Sequence, residues 1–104
     1  MFLADVLGAV VAPVQHPAFD GRTLLLLRVV RPDGGNAGRS LVGIDFVGAG
    51  QGDRVLVVDE GSSTRTLVRD EHAPVKSAIV GVVDFVEVGR EILYSSEGDR
   101  GRRR

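Results

Sequence analysis

The stretch Val47-Gly48-Ala49-Gly50-Gln51-Gly52-Asp53 puts glycine at three alternate positions, and Arg54-Val55-Leu56-Val57-Val58 follows without a gap. A dinucleotide fingerprint would run G-x-G-x-x-G into a helix, whose N-terminus meets the pyrophosphate. Here the spacing is G-x-G-x-G, and the run that follows is β-branched and apolar. A P-loop would continue past its last glycine with Lys and then Ser or Thr. Asp53 and Arg54 stand there instead, and a carboxylate at that point repels phosphate. The stretch therefore reads as a tight strand-to-strand connection, or as backbone that packs close to something, including symmetry mates of itself.

Outward from this loop, strand signals dominate. Runs rich in Val, Ile and Leu cover Phe2–Ala12, Thr23–Val30, Ser40–Val47, Arg54–Val58 and Ser77–Val88, with a weaker run at Glu91–Ser95. Each is bounded by Gly, Pro, Asp or Asn. Pro32-Asp33-Gly34-Gly35 between two such runs predicts a hairpin, with Gly34 or Gly35 supplying positive φ. Residues 62–74 are the one segment that admits a short helix, capped by Ser62 or Ser63. At 104 residues the chain makes one domain. Five or six short strands with no long amphipathic helix predict an all-β fold. A small closed barrel is favoured, because closure removes exposed edges; an open sandwich is the alternative. We place the domain at residues 1–95 and read 96–104 as a basic, disordered tail.

The strands also carry too much apolar surface for one barrel. A strand with one wet face alternates apolar and polar residues, yet Leu24, Leu25, Leu26 and Leu27 are consecutive. Along Ser77–Val88, read as one strand, Ile79, Val83 and Phe85 share a face, and Val80, Val82, Val86 and Val88 share the other. Leaving several such side chains in water forfeits several kcal/mol at about 25 cal/mol per Å². The expectation is a homo-oligomer whose contacts draw on Leu25, Leu27, Val80, Val82 and Val86. Loops folding back over the same face are the alternative.

Composition narrows the function classes. The chain holds 43% hydrophobic and 26% charged residues, ordinary for a soluble protein, and no cysteine, which excludes disulfides and thiolate metal sites. No apolar stretch approaches a bilayer span, and Asp5 interrupts an N-terminus that has no basic start, so no membrane is expected and the chain reads as cytoplasmic. Four of the 13 basic residues, Arg100, Arg102, Arg103 and Arg104, lie in the last five positions; without them 9 basic groups face 14 acidic ones. An acidic body repels phosphate backbones, and four Phe, one Tyr and no Trp leave few stacking platforms, so nucleic acid is not an expected partner.

Catalytic chemistry finds no footing. Gly61-Ser62-Ser63-Thr64-Arg65 lacks the G-x-S-x-G spacing of a nucleophile elbow, and the only possible bases, His16 and His72, lie far apart in polar connectors. Asp59-Glu60 and Asp70-Glu71 are adjacent pairs, which in extended chain point to opposite faces. No catalytic, cofactor-binding or metal site is expected.

Three motifs nonetheless match something in order and spacing. "VGAGQGDRVLVV", then "GSSTR", then "APVKSAIVGVVDFVEV" resemble the EutN/CcmL family, the pentameric vertex proteins of bacterial microcompartment shells, including carboxysomes. The N-terminal "ADVLGAVVAPVQHPAFDGRTLLLLRVV" resembles the family's opening hairpin, and the likeness spans about residues 2–95. It implies an OB-like barrel in a cyclic homopentamer that caps the vertices of a shell tiled by hexameric shell proteins, with no enzymatic activity and no cofactor. It implies that Gly48, Ala49 and Gly50 shape a narrow central pore, and that Ser62, Ser63 and Arg65 lie close by. An OB-type binding module for single-stranded nucleic acid or another ligand is the alternative.

Overall fold

Thr23–Val30 forms a strand, β2, whose parity Arg28 sets: the guanidinium needs water, so Leu26 and Leu24 share its outward face and Leu25 and Leu27 turn inward. In this computed structural model, which describes residues 1–11, 17, 21–59 and 77–96, Leu25 and Leu27 are buried, Leu27 completely. This corrects their expected place in a subunit contact: side chains already enclosed by their own barrel have no surface to lend. Of the four consecutive leucines the exposed one is Leu26, at 38%.

Phe2–Val10 (β1) and Asn36–Asp45 (β3) flank β2 in antiparallel pairing, with Leu27 facing Val6 on one side and Leu41 on the other. The β2–β3 hairpin forms as expected. Arg31 and Gly34–Gly35 exchange backbone hydrogen bonds across it, and Gly34, at φ 89°, is the glycine that turns the chain. Arg54–Val58 (β4) pairs antiparallel with β1 and with Ala78–Val82 (β5). A short parallel contact of β5 with β3, Ile44 to Ala78 and Asp45 to Ile79, closes the barrel in the order β1-β2-β3-β5-β4. Ala4, Val6, Leu25, Leu27, Val55, Val57 and Ile79 fill it. Gly43 makes room for that filling, since a Cβ there would stand 3.0 Å from a Leu27 methyl.

The run Ser77–Val88 is two strands, not one. It breaks at Val83-Asp84, and Phe85–Val88 (β6) then pairs with Glu91–Ser95 (β7) in a separate two-stranded sheet. Parity does not carry through the break, so Ile79 is buried while Phe85 is 57% exposed. The short helix expected within residues 62–74 lies outside the described residues, as do residues 97–104. Ser96 is still held, donating from its amide and its hydroxyl to Asp84.

Candidate functional site

The glycine loop leaves β3 through Asp45, whose carboxylate accepts from the Val47 amide at 3.0 Å. It ends in a turn closed by the Asp53 amide donating to the Gly50 carbonyl, while the Asp53 carboxylate accepts from the Gly50 amide at 2.9 Å. The turn is stitched to β1: the Gly52 amide donates to the Val6 carbonyl, and the Val6 amide to the Asp53 carbonyl. Asp53 is thus the residue that shapes the loop.

The glycines differ in what their own chain asks of them. Gly48 (φ 77°) and Gly52 (φ 91°) adopt left-handed backbone, which disfavours any side chain. Gly50 has no positive φ, and a Cβ built on it meets nothing within 4 Å. Nothing within the described residues requires glycine there. Ala49 is partly buried and packs against the core cluster.

Two hollows flank the turn, and Gly52 lines both. Asp53, Val82, Asp84 and Tyr94 line one; Asp5, Leu7, Arg28 and Gln51 line the other. Beyond each hollow lies exposed apolar surface. On the barrel side Leu7, Leu26 and Val42 stand outward on β1, β2 and β3. On the other side Val82, Phe85, Val88 and Ile92 are all at least half exposed. Val80 and Val86, two of the expected contact residues, are partly buried, and Val82 is open.

A part-buried ion pair between β1 and β4 underlies the contact of the β6–β7 sheet with the barrel. Arg54, 7% exposed, makes a two-pronged contact with Asp5, Nε to Oδ1 at 2.8 Å and Nη2 to Oδ2 at 3.2 Å. Its guanidinium lies 4.2 Å from the ring centre of Tyr94, a buried residue of β7. Gly34 approaches the same guanidinium so closely that a Cβ would sit 3.1 Å from it. Sequence reasoning missed this cluster. Asp5 and Arg54 are 49 residues apart, and only a charge inside each of two apolar runs hinted at it.

Ser62, Ser63 and Arg65, expected near the loop, lie outside the described residues. At the edges of that segment Asp59 accepts from the Ser77 hydroxyl at 2.7 Å and pairs with Arg39 at 3.2 Å. Among the described residues no cluster of His, Asp and Glu could hold a metal ion, and no helix is long and apolar enough to cross a membrane.

Comparison with known proteins bears on these surfaces. The model of the family described as "Ethanolamine utilisation protein EutN/carboxysome" matches residues 1–84. The chain is 37% identical over 94 residues to the bacterial microcompartment shell vertex protein EutN of Escherichia coli K12, covering 90% of this chain and 98% of that protein. Its fold superposes on the structure of Gloeobacter violaceus CcmL with a TM-score of 0.84 at 33% identity, over 93% of this chain and 99% of the other. It also superposes on the GrpN pentameric microcompartment shell protein from Rhodospirillum rubrum, with a TM-score of 0.74 at 32% identity, over 85% and 99%.

Proposed function

The chain belongs to the EutN/CcmL family of microcompartment shell vertex proteins, and from that premise we propose that five copies ring a glycine-lined axis and close the five-fold points of a shell. Its role is structural rather than enzymatic, and its place is the shell of a bacterial microcompartment. The assembly is a homopentamer, as in the pentameric relative.

One observation carries the finer reading. Gly50 is bare although neither its backbone angle nor any described neighbour requires it. Near a five-fold axis the same loop arrives from five directions, and a side chain at Gly50 would meet its own copies or fill the hole. The flanking surfaces support this placement. A ring needs two unlike patches per subunit, and the two apolar patches lie on either side of the Gly50–Asp53 turn, where the apex of a wedge-shaped subunit belongs. Gly48 and Gly50, with the Ala49 backbone, then border the pore.

The partners at the outer rim are hexameric shell proteins, because a sheet of hexagonal tiles cannot curve closed without five-fold points. The test is direct. Purified protein is expected at five times the chain mass by native mass spectrometry, and as closed rings by electron microscopy. Co-assembly with a hexameric shell protein should give closed shells that exclude a labelled dextran, whereas shells made without the chain should admit it. A stably monomeric protein overturns the reading.

A further inference from the structure

We propose that the β6–β7 sheet is the arm that joins the ring, and that its Phe85 seats in a hollow centred on Gly8 on the β1–β2–β3 face of the next copy. This rests on the pentameric reading and assigns its contact. A two-stranded sheet is marginal by itself in water, yet this one stands apart from the barrel sheet with Phe85, Val88 and Ile92 all more than half exposed. It is not left to wander. Tyr94 on β7 is clamped over the buried Arg54 guanidinium, and Ser96 bonds back to Asp84. A rigid sheet carrying wet apolar residues is pre-organised for a partner.

The receiving face has its own opening. Gly8 ends a β-bulge in β1, where the register with β2 shifts between Val6 and Gly8, and it stands opposite Leu26. It has no positive φ, and a Cβ on it would meet nothing within 4 Å. With no side chain of its own, it leaves open space beside the exposed Leu7 and Leu26, with Val42 paired to Leu26 from β3. That gives an apolar hole on one side of the subunit and an aromatic knob on the other.

Charge agrees with the pairing. Glu87 is exposed and paired with Ile92, so it shares the Phe85 face of the sheet. Arg28 shares the outward side of β2 with Leu26; its side chain is 43% exposed, and its ion pair with Asp5 is long, at 3.8 Å. Its Nε is buried, but the exposed part of its guanidinium can meet a glutamate arriving with the sheet. The occupant is therefore a second copy of this chain.

Two variants test the contact, each spoiling one partner surface. Phe85→Asp combined with Ile92→Asp removes the knob and keeps the face. Gly8→Trp fills the hollow and keeps the knob; the open space around Gly8 lets the barrel fold. Each alone is expected at the mass of a single chain, with an unchanged far-ultraviolet spectrum and a cooperative melt. Mixed in equal amounts at high concentration, they should form a discrete pair of twice the chain mass. The intact arm of one docks on the intact face of the other, and neither can extend the chain further. Variants that keep the five-fold mass, or a mixture that yields no pair, overturn the inference. A wild-type protein that is not five-fold overturns the vertex reading instead, so the two failures are distinguishable.

Discussion

At the scale of single residues, Arg54 and the loop glycines divide folding from assembly. Arg54 is buried, two-pronged on Asp5 and stacked on Tyr94. Among the described residues Arg54→Ala leaves Asp5 with only its distant Arg28 partner, and it should cost about 3 kcal/mol of stability, read from denaturant melts. Arg54→Lys should recover little of it, because an ammonium can neither span both carboxylate oxygens nor stack flat on the ring. Gly52→Ala should cost about 1–2 kcal/mol, the penalty of a Cβ in left-handed backbone at φ 91°. Gly50 has no such penalty. Gly50→Trp should leave the melting temperature of the dissociated chain and the five-fold mass unchanged while narrowing the axial opening, seen by cryo-electron microscopy. If that variant forms no rings, the loop serves subunit contact rather than the shape of the hole.

At the scale of elements, β2 and the β6–β7 sheet show how alternation assigns work. Leu26 and Leu27 are neighbours with opposite duties. Leu27→Ala removes a fully buried side chain that packs on Gly43 and should destabilise the barrel by about 2–5 kcal/mol. Leu26→Ala should leave the isolated chain's stability within about 0.5 kcal/mol, as for surface positions, and act only on ring assembly. Analytical ultracentrifugation with parallel urea melts separates the two effects. Tyr94→Ala should loosen β7 from Arg54, so amide exchange in β6 and β7 rises while that of β1 to β5 stays protected.

At the scale of the whole molecule, stability and assembly are linked. A chain with two apolar patches in water gains by ring closure, so the melting temperature should rise with protein concentration, as mass action requires. If it is independent of concentration across the range where mass shows assembly, the contact adds no stability. High salt should weaken Arg28–glutamate attraction while strengthening apolar burial. A modest net dependence is therefore expected, unlike the steep slope of a nucleic-acid binder.

The sequence alone settled the strand content, the hairpin at residues 32–35, the absence of a phosphate-binding template and the excess of apolar surface that calls for partners. These depend on local backbone chemistry and on residue type, both of which are legible in one dimension. It did not decide which leucines face out. Four in a row satisfy either parity; Arg28 held the answer, but only if its exposure was taken as given. It read residues 77–88 as one strand because no glycine or proline marks the break at Val83-Asp84. The break exists because Val83 donates to the Arg54 carbonyl and β6 leaves to pair with β7. The tertiary structure alone brought Asp5, Arg54 and Tyr94 together, and it alone revealed that Gly50 is bare without a reason among the described residues and that the space over the Gly8 bulge is open. Burial and crowding are properties of the space around a residue, and that space exists only once the barrel has closed.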